Sequence, residues 1–208
     1  MPKCTAPSFH RQVQQIPEAL SSALTPVMGI IRMLSDQIRQ LDRKVEGLCR
    51  QGYPETARLR QVAGVGPLTA LTFVLTLEDP SRFARARAVG PYLGLTRKKR
   101  DSGEQSPQLR ISKAGDGMVR QLLVGSGQYI LGPFGPDCDL RRWGLKLAER
   151  GGKNAKKRAV VAVARKLGVL LYRLWVSDEV YEPLRNSQAR SAVPAANNGA
   201  LGQGAAAA

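Results

Sequence analysis

The sequence predicts an all-α protein, and three observations lead there. A heptad pattern runs over residues 27 to 48. The apolar content of 43% is built from Leu, Val, Ile and Ala, with aromatics at only 5%, a palette of helix formers rather than of sheets. Apolar positions between residues 55 and 178 fall at helical spacing.

Residues 1–25 contain three prolines and little periodicity, and read as an irregular leader. From Pro26 the chain changes character. Val27, Ile31, Leu34, Ile38, Leu41, Val45 and Leu48 alternate steps of four and three, with Arg32, Asp36, Gln37, Arg39 and Lys44 between them. That is the seam of a coiled-coil arm over residues 26–52, ended by Gly52 and Pro54, or else the inner face of a helix packed on its own domain.

A compact helical domain is expected over residues 55–178. Leu59, Val62 and Ala63 close a short helix, Gly64-Val65-Gly66-Pro67 turns, and Leu68 to Leu77 forms an apolar second helix. This is the pattern of a helix-hairpin-helix unit. Its glycines let backbone N–H groups and a helix N-terminus approach a phosphate, and Pro67 suits the first helical position. A purely structural turn is the competing reading.

Asp79-Pro80-Ser81 breaks that helix, and a further helix is expected from Arg82 to Leu93. Helices are also expected from Gly115 to Leu131, with Val119, Leu122, Leu123 and Ser126 inward, from Asp139 to Arg150 and from Lys153 to Trp175. From Asn186 the composition collapses to Ala, Asn, Gly and Ser, so residues 186–208 read as a disordered tail.

The net charge of +16 points to a polyanionic partner, nucleic acid above all. Between Arg141 and Arg173 stand eleven Lys/Arg residues and one acid, Glu149. Lys153, Lys156, Lys157 and Arg158 gather at a helix start, where cations oppose the macrodipole; phosphate contact explains them better than helix stability does. Three cysteines (Cys4, Cys49, Cys138) and one histidine, His10, make neither a disulfide framework nor a zinc site and fit a reducing cytoplasm. No apolar run is long enough to span a membrane, and no secretory signal is visible.

The chemistry concentrates between Gly94 and Asp116. Arg97, Lys98, Lys99 and Arg100 are four consecutive cations, and Ser102-Gly103 follows. A hydroxyl on a Gly-hinged loop beside such a run suits either a nucleophile aimed at a phosphodiester or a phosphate clamp. A serine alone is a weak nucleophile, and only Asp101 and Glu104 lie close in sequence. Ser112, in Ile111-Ser112-Lys113-Ala114-Gly115, is the other candidate, and its place before an apolar helix suits an N-cap or a phosphate contact.

AGVGPLTALTFV, DPSRFARARAVGPYLGLTRKKRDSG, RISKAGDGMVRQLLV and GKNAKKRAVVAVARKLGVLLYRLW, in that order over about residues 26 to 178, resemble the C-terminal domain of bacterial insertion-sequence transposases of the bridge-RNA-guided kind. Such proteins join a RuvC-like domain to a serine-bearing domain. The resemblance implies that Ser102 is the covalent nucleophile on DNA, that Ser112, Lys113 and Gly115 bind the backbone and start a helix, and that residues 27–48 pair protomers. It further implies a guide RNA and a nucleoid-associated, cytoplasmic setting. The family's RuvC-like domain supplies four acidic residues that hold Mg2+. Here Glu18, Asp36, Asp42, Glu46 and Glu55 are scattered without a strand pattern, so this chain is expected to lack that half of the centre and to bind no metal itself. A DNA recombinase part, truncated or split, is the leading expectation. A non-catalytic nucleic-acid-binding remnant or accessory protein is the alternative.

Overall fold

The computed structural model describes residues 18–98, 109–152 and 154–191. Helices account for its regular structure, and among the described residues the only β feature is an isolated bridge between Arg97 and Ile111. The chain divides into two units, up to Ala57 and from Arg58.

The first unit is one long helix, α1 (Glu18–Gln51). It begins earlier than Pro26, where the sequence reading placed its start, and Pro26 sits inside it. A proline there removes one i→i−4 bond at a cost of about 3 kcal/mol, which a 34-residue helix with a continuous apolar stripe absorbs. Thr25 Oγ1 donates to Ser21 O at 2.8 Å one turn back. The expected seam is exposed over most of its length: Val27, Leu34, Ile38, Leu41 and Leu48 are each at least half open to solvent, while Val45 is partly covered. Charged residues on the other positions pair along the helix, Arg39 with Asp36 and Arg50 with Glu46. After Gly52 the chain turns, and Thr56 Oγ1 donates to Tyr53 O at 2.6 Å.

A four-residue turn of helix, α2 (Thr56–Leu59), leads into the second unit. There α3 (Pro67–Leu77), α4 (Val89–Tyr92), α5 (Gly117–Leu131), α6 (Asp139–Glu149) and α7 (Ala155–Ser177) build the core. The central helix is α7, against which α5 and α6 make their main packing contacts. Ala155, Ala159, Val163, Leu167 and Leu171 recur every fourth residue and are buried, which defines its inner face. Small residues let backbones close in. A Cβ on Gly127 of α5 would stand 3.0 Å from Val160 O, and one on Gly144 of α6 would meet Val163 Cγ2 at 2.5 Å. Phe73, Leu77, Leu123, Ile130, Leu167 and Leu171 are fully buried, each contributing about 2–3 kcal/mol of hydrophobic stabilisation.

Arg82 to Leu93 is not one helix. It is two 3-10 turns, Pro80–Arg82 and Ala86–Ala88, followed by α4, with Phe83 and Arg85 extended between. Tertiary contacts override the helical pattern. The Phe83 ring stands edge-on to Tyr92 and Tyr172, with centroids 5.1 and 5.8 Å away. Tyr172 OH donates to Pro80 O and Phe83 O at 2.9 and 3.1 Å. Both carbonyls are thus tied to α7, and Pro80 O also accepts from Phe83 N at 3.2 Å within the first 3-10 turn.

The tail reading also needs correction at its start. Arg185–Ser191 form α8, because Asp139 at the start of α6 caps it. Asp139 Oδ2 accepts from Asn186 N at 2.6 Å, and Oδ1 accepts from Ser187 N and Ser187 Oγ. The remainder of the expected disordered tail, residues 192–208, lies outside the described residues.

Candidate nucleic-acid interface

The basic segment is held at its base by a short antiparallel stem. Ser112 N donates to Thr96 O at 2.8 Å, Lys98 N to Arg110 O at 3.0 Å and Lys113 N to Gly94 O at 3.1 Å. Below these rungs the two legs cross backbone to backbone. Gly94 and Gly115 both have positive φ, +66° and +70°, and a Cβ on either would collide with the opposite leg, at Ala114 O and Tyr92 O respectively. Arg120 of α5 locks the crossing, its Nη1 donating to Leu93 O at 3.2 Å and Ala114 O at 2.8 Å.

Ser102, Lys99 and Arg100 lie outside the described residues, between the ends of this stem. Arg97 and Lys98 form one leg and are exposed. Lys113 is exposed and left-handed, with φ +58°, a conformation that costs a non-glycine residue roughly 1–2 kcal/mol. Ser112 is not the N-cap of the following helix. Asp116 is, its Oδ1 accepting from Val119 N at 2.7 Å, so α5 starts at Gly117 rather than Gly115. Ser112 Oγ makes only a 3.5 Å contact with Ala114 N.

The Gly64–Pro67 turn is present, with Pro67 at the start of α3. The helix before it, however, is only the single turn Thr56–Leu59. The two glycines do different work. Gly64 has φ +85°, and a Cβ there would stand 2.9 Å from Tyr129 Cδ1. Gly66 is extended, caps α3 without a side chain, and has open space where its Cβ would be.

Three of the cations between Arg141 and Arg173 have structural partners. Arg141 Nη1 donates to Ile130 O and Gly132 O, closing the end of α5. Arg142 pairs with Asp137, which raises the guanidinium's affinity for its proton and holds the Asp137 carboxyl below the usual range. Lys166 Nζ sits 4.0 Å above the Trp143 ring; burial, and then Arg165 nearby, lower its pKa. Lys156 and Lys157, in contrast, are exposed in the first turn of α7, which holds no acid; Lys153 is outside the described residues.

Between the Gly64–Gly66 turn and α5 runs a groove of about 1050 Å3. Its lining includes Ile111 of the stem, Val161 of α7, and Arg120, Gln121, Gln128 and Tyr129 of α5, with no Asp or Glu. The structure thus brings together the glycine turn and the base of the basic loop. The sequence reading missed Arg120, whose importance lies in contacts 6 and 27 residues away, and Tyr129 with its two glutamines. The helical stripe Gly117, Gln121, Gly125, Gln128 was the available signal for the latter. Cys49 and Cys138 are buried and stand in no disulfide. None of these residues forms a cluster of three or more metal-ligating side chains, and no described helix is long and apolar enough to cross a membrane.

The part of the chain that holds this stem and groove is similar to part of known insertion-sequence transposases. Residues 56–131 match the Transposase IS116/IS110/IS902 family. The chain is 34% identical over 125 residues to the transposase for insertion sequence element IS1111A of Coxiella burnetii, covering 60% of this chain and 34% of the relative. It is 31% identical over 121 residues to the transposase for insertion sequence element IS1328 of Yersinia enterocolitica, covering 58% and 34% respectively. The chain spans a third to a half of the length of the curated relatives it matches.

Proposed function

We propose that this chain handles DNA during transposition of an insertion sequence, with Ser102 as the covalent nucleophile. The observation that carries the reading is the stem. It holds Arg97 and Lys98 on one leg and Arg110 to Lys113 on the other, within the stretch that matches the transposase family.

In this reading Ser102 Oγ attacks a backbone phosphorus and loses its proton to a base. A phosphoserine ester forms, and the sugar hydroxyl of the cleaved strand leaves. Attack by the hydroxyl of another strand reverses the bond change and regenerates the serine. Arg97, Lys98, Lys99, Arg100 and Lys113 hold the phosphate and offset the charge that develops on its oxygens. Magnesium would polarise that phosphate; no group of three metal-ligating side chains stands among the described residues, and in this proposal an acidic domain acting with this one supplies the carboxylates. The guide RNA, nucleoid association and pairing of two copies through residues 27–48 belong to the same proposal.

Replacing Ser102 by Ala in the transposase as it works in cells should abolish excision and integration while leaving DNA binding intact. Unchanged excision would sink the nucleophile. A second reading, a nucleic-acid-binding accessory without chemistry, is favoured by the exposed Lys156 and Lys157. It requires affinity and its salt slope to fall when Lys98 and Lys99 are neutralised, whatever Ser102 does.

A further inference from the structure

We propose that the groove between the Gly64–Gly66 turn and α5 binds unpaired nucleotides of single-stranded DNA, with Tyr129 as the stacking surface and the Gln121 and Gln128 amides at the base edges. The inference rests on the DNA-handling reading above and extends it to which strand is held, and where.

Four observations carry it. Tyr129 is 46% exposed although it lines a groove, and Gly64, left-handed and without a side chain, is the only residue type that leaves room for its ring edge. A large, half-open aromatic held in place by its neighbour is what base stacking uses. Gln121 and Gln128 lie on the same exposed face of α5, seven residues apart, with Gly125 between them and open space at its missing Cβ. A flat base can therefore lie against the helix with an amide at either end, and glutamine amides pair with donor–acceptor edges.

The third observation is charge. No acid lines the groove, Arg120 does, and Val161 on its wall lies between Lys157 and Arg165 at four-residue steps on α7. Arg165 runs against Gly90 near Thr96 of the stem, so a line of cations leads from the groove toward the basic loop. The fourth is size. The groove is open to solvent and about 1050 Å3 in volume, room for more than one nucleotide. Ile111 belongs both to the stem and to the groove, so the groove adjoins the base of the basic loop.

The test is fluorescence anisotropy of the full chain with one labelled oligonucleotide presented as single-stranded DNA, as duplex and as RNA. Tyr129→Ala should weaken single-stranded DNA about tenfold or more, the scale of one lost base stack, and leave duplex binding within about twofold. Tyr129→Phe, which keeps the ring, should bind as the parent does. Gln121→Leu with Gln128→Leu should change base preference. Equal loss for single strand and duplex, no loss with Tyr129→Ala, no binding by the parent, or a preference for RNA over DNA would each overturn the proposal. Ser102→Ala should bind the single strand normally, so failure of the nucleophile reading and failure of the groove reading are separate outcomes.

Discussion

Arg120 Nη1 stands 2.8 Å from the Ala114 carbonyl and 3.2 Å from that of Leu93, so one guanidinium joins the two legs of the basic loop where they cross. Hydrogen bonds from a charged donor are worth about 1.5–3 kcal/mol each when partly shielded, and Arg120 is half-buried. Arg120→Ala should lower unfolding free energy in urea by about 1–3 kcal/mol, and Arg120→Lys should restore only part of it, since an ammonium lacks the planar fork. A loss under about 0.5 kcal/mol would mean the crossing holds without it.

The crossing itself predicts a contrast among glycines. Gly94→Ala and Gly115→Ala put a Cβ into backbone atoms at positive φ and should cost about 2 kcal/mol or more. Gly125→Ala sits in open space within α5 and should stabilise by about 0.5–1 kcal/mol. If it also weakens single-stranded DNA binding, stability and groove occupancy will have been separated in one variant. Thermal melts of the three variants side by side decide this.

Asp139 gives the pH dependence. Burial raises its pKa, but the hydrogen bonds from Ser187 and Asn186 together outweigh burial and hold the carboxyl below its usual value. A depressed folded pKa means a contribution that is complete above the unfolded value, about 3.9, and disappears as pH falls through the folded one. The amide resonances of Asn186 and Ser187 should therefore titrate below pH ~4, with hydrogen exchange in α8 rising in parallel. Asp139→Ala should remove both responses and leave α8 exchanging freely at neutral pH.

The exposed stripe on α1 predicts the oligomeric state. Leu34→Lys with Leu41→Lys places charge on two seam positions now more than half open, and should turn a paired species into a monomer in sedimentation velocity. A parent chain that sediments as a monomer at micromolar concentration would remove the pairing proposal.

The local periodicities were readable because a single physical demand writes each of them. The Pro67 start of α3 and the apolar faces of α5 and α7 each follow from burial or capping within a few residues. What escaped the sequence depends on distant partners. Asp139 caps a helix 47 residues away, and Tyr172 bonds carbonyls 92 and 89 residues back, which no local pattern signals. Ser112 suited an N-cap by its place before the helix, but the left-handed turn at Lys113 and Gly115 intervenes and Asp116 takes that role. Pro26 hid the first two turns of α1 because its usual place is a helix start. The candidate site was half legible. The cations of the stem stand out in composition, whereas Arg120 and Tyr129 become notable only when α5 is laid beside Gly64 and Ala114.

The glycine crossing has one more consequence. Among the described residues, the bonds that tie the two legs together run from Gly94 to Lys98 on one side and from Arg110 to Ala114 on the other. They close only because the backbones meet where a side chain would stand, so Gly94 and Gly115 are the fixed socket in which the legs of the basic loop sit.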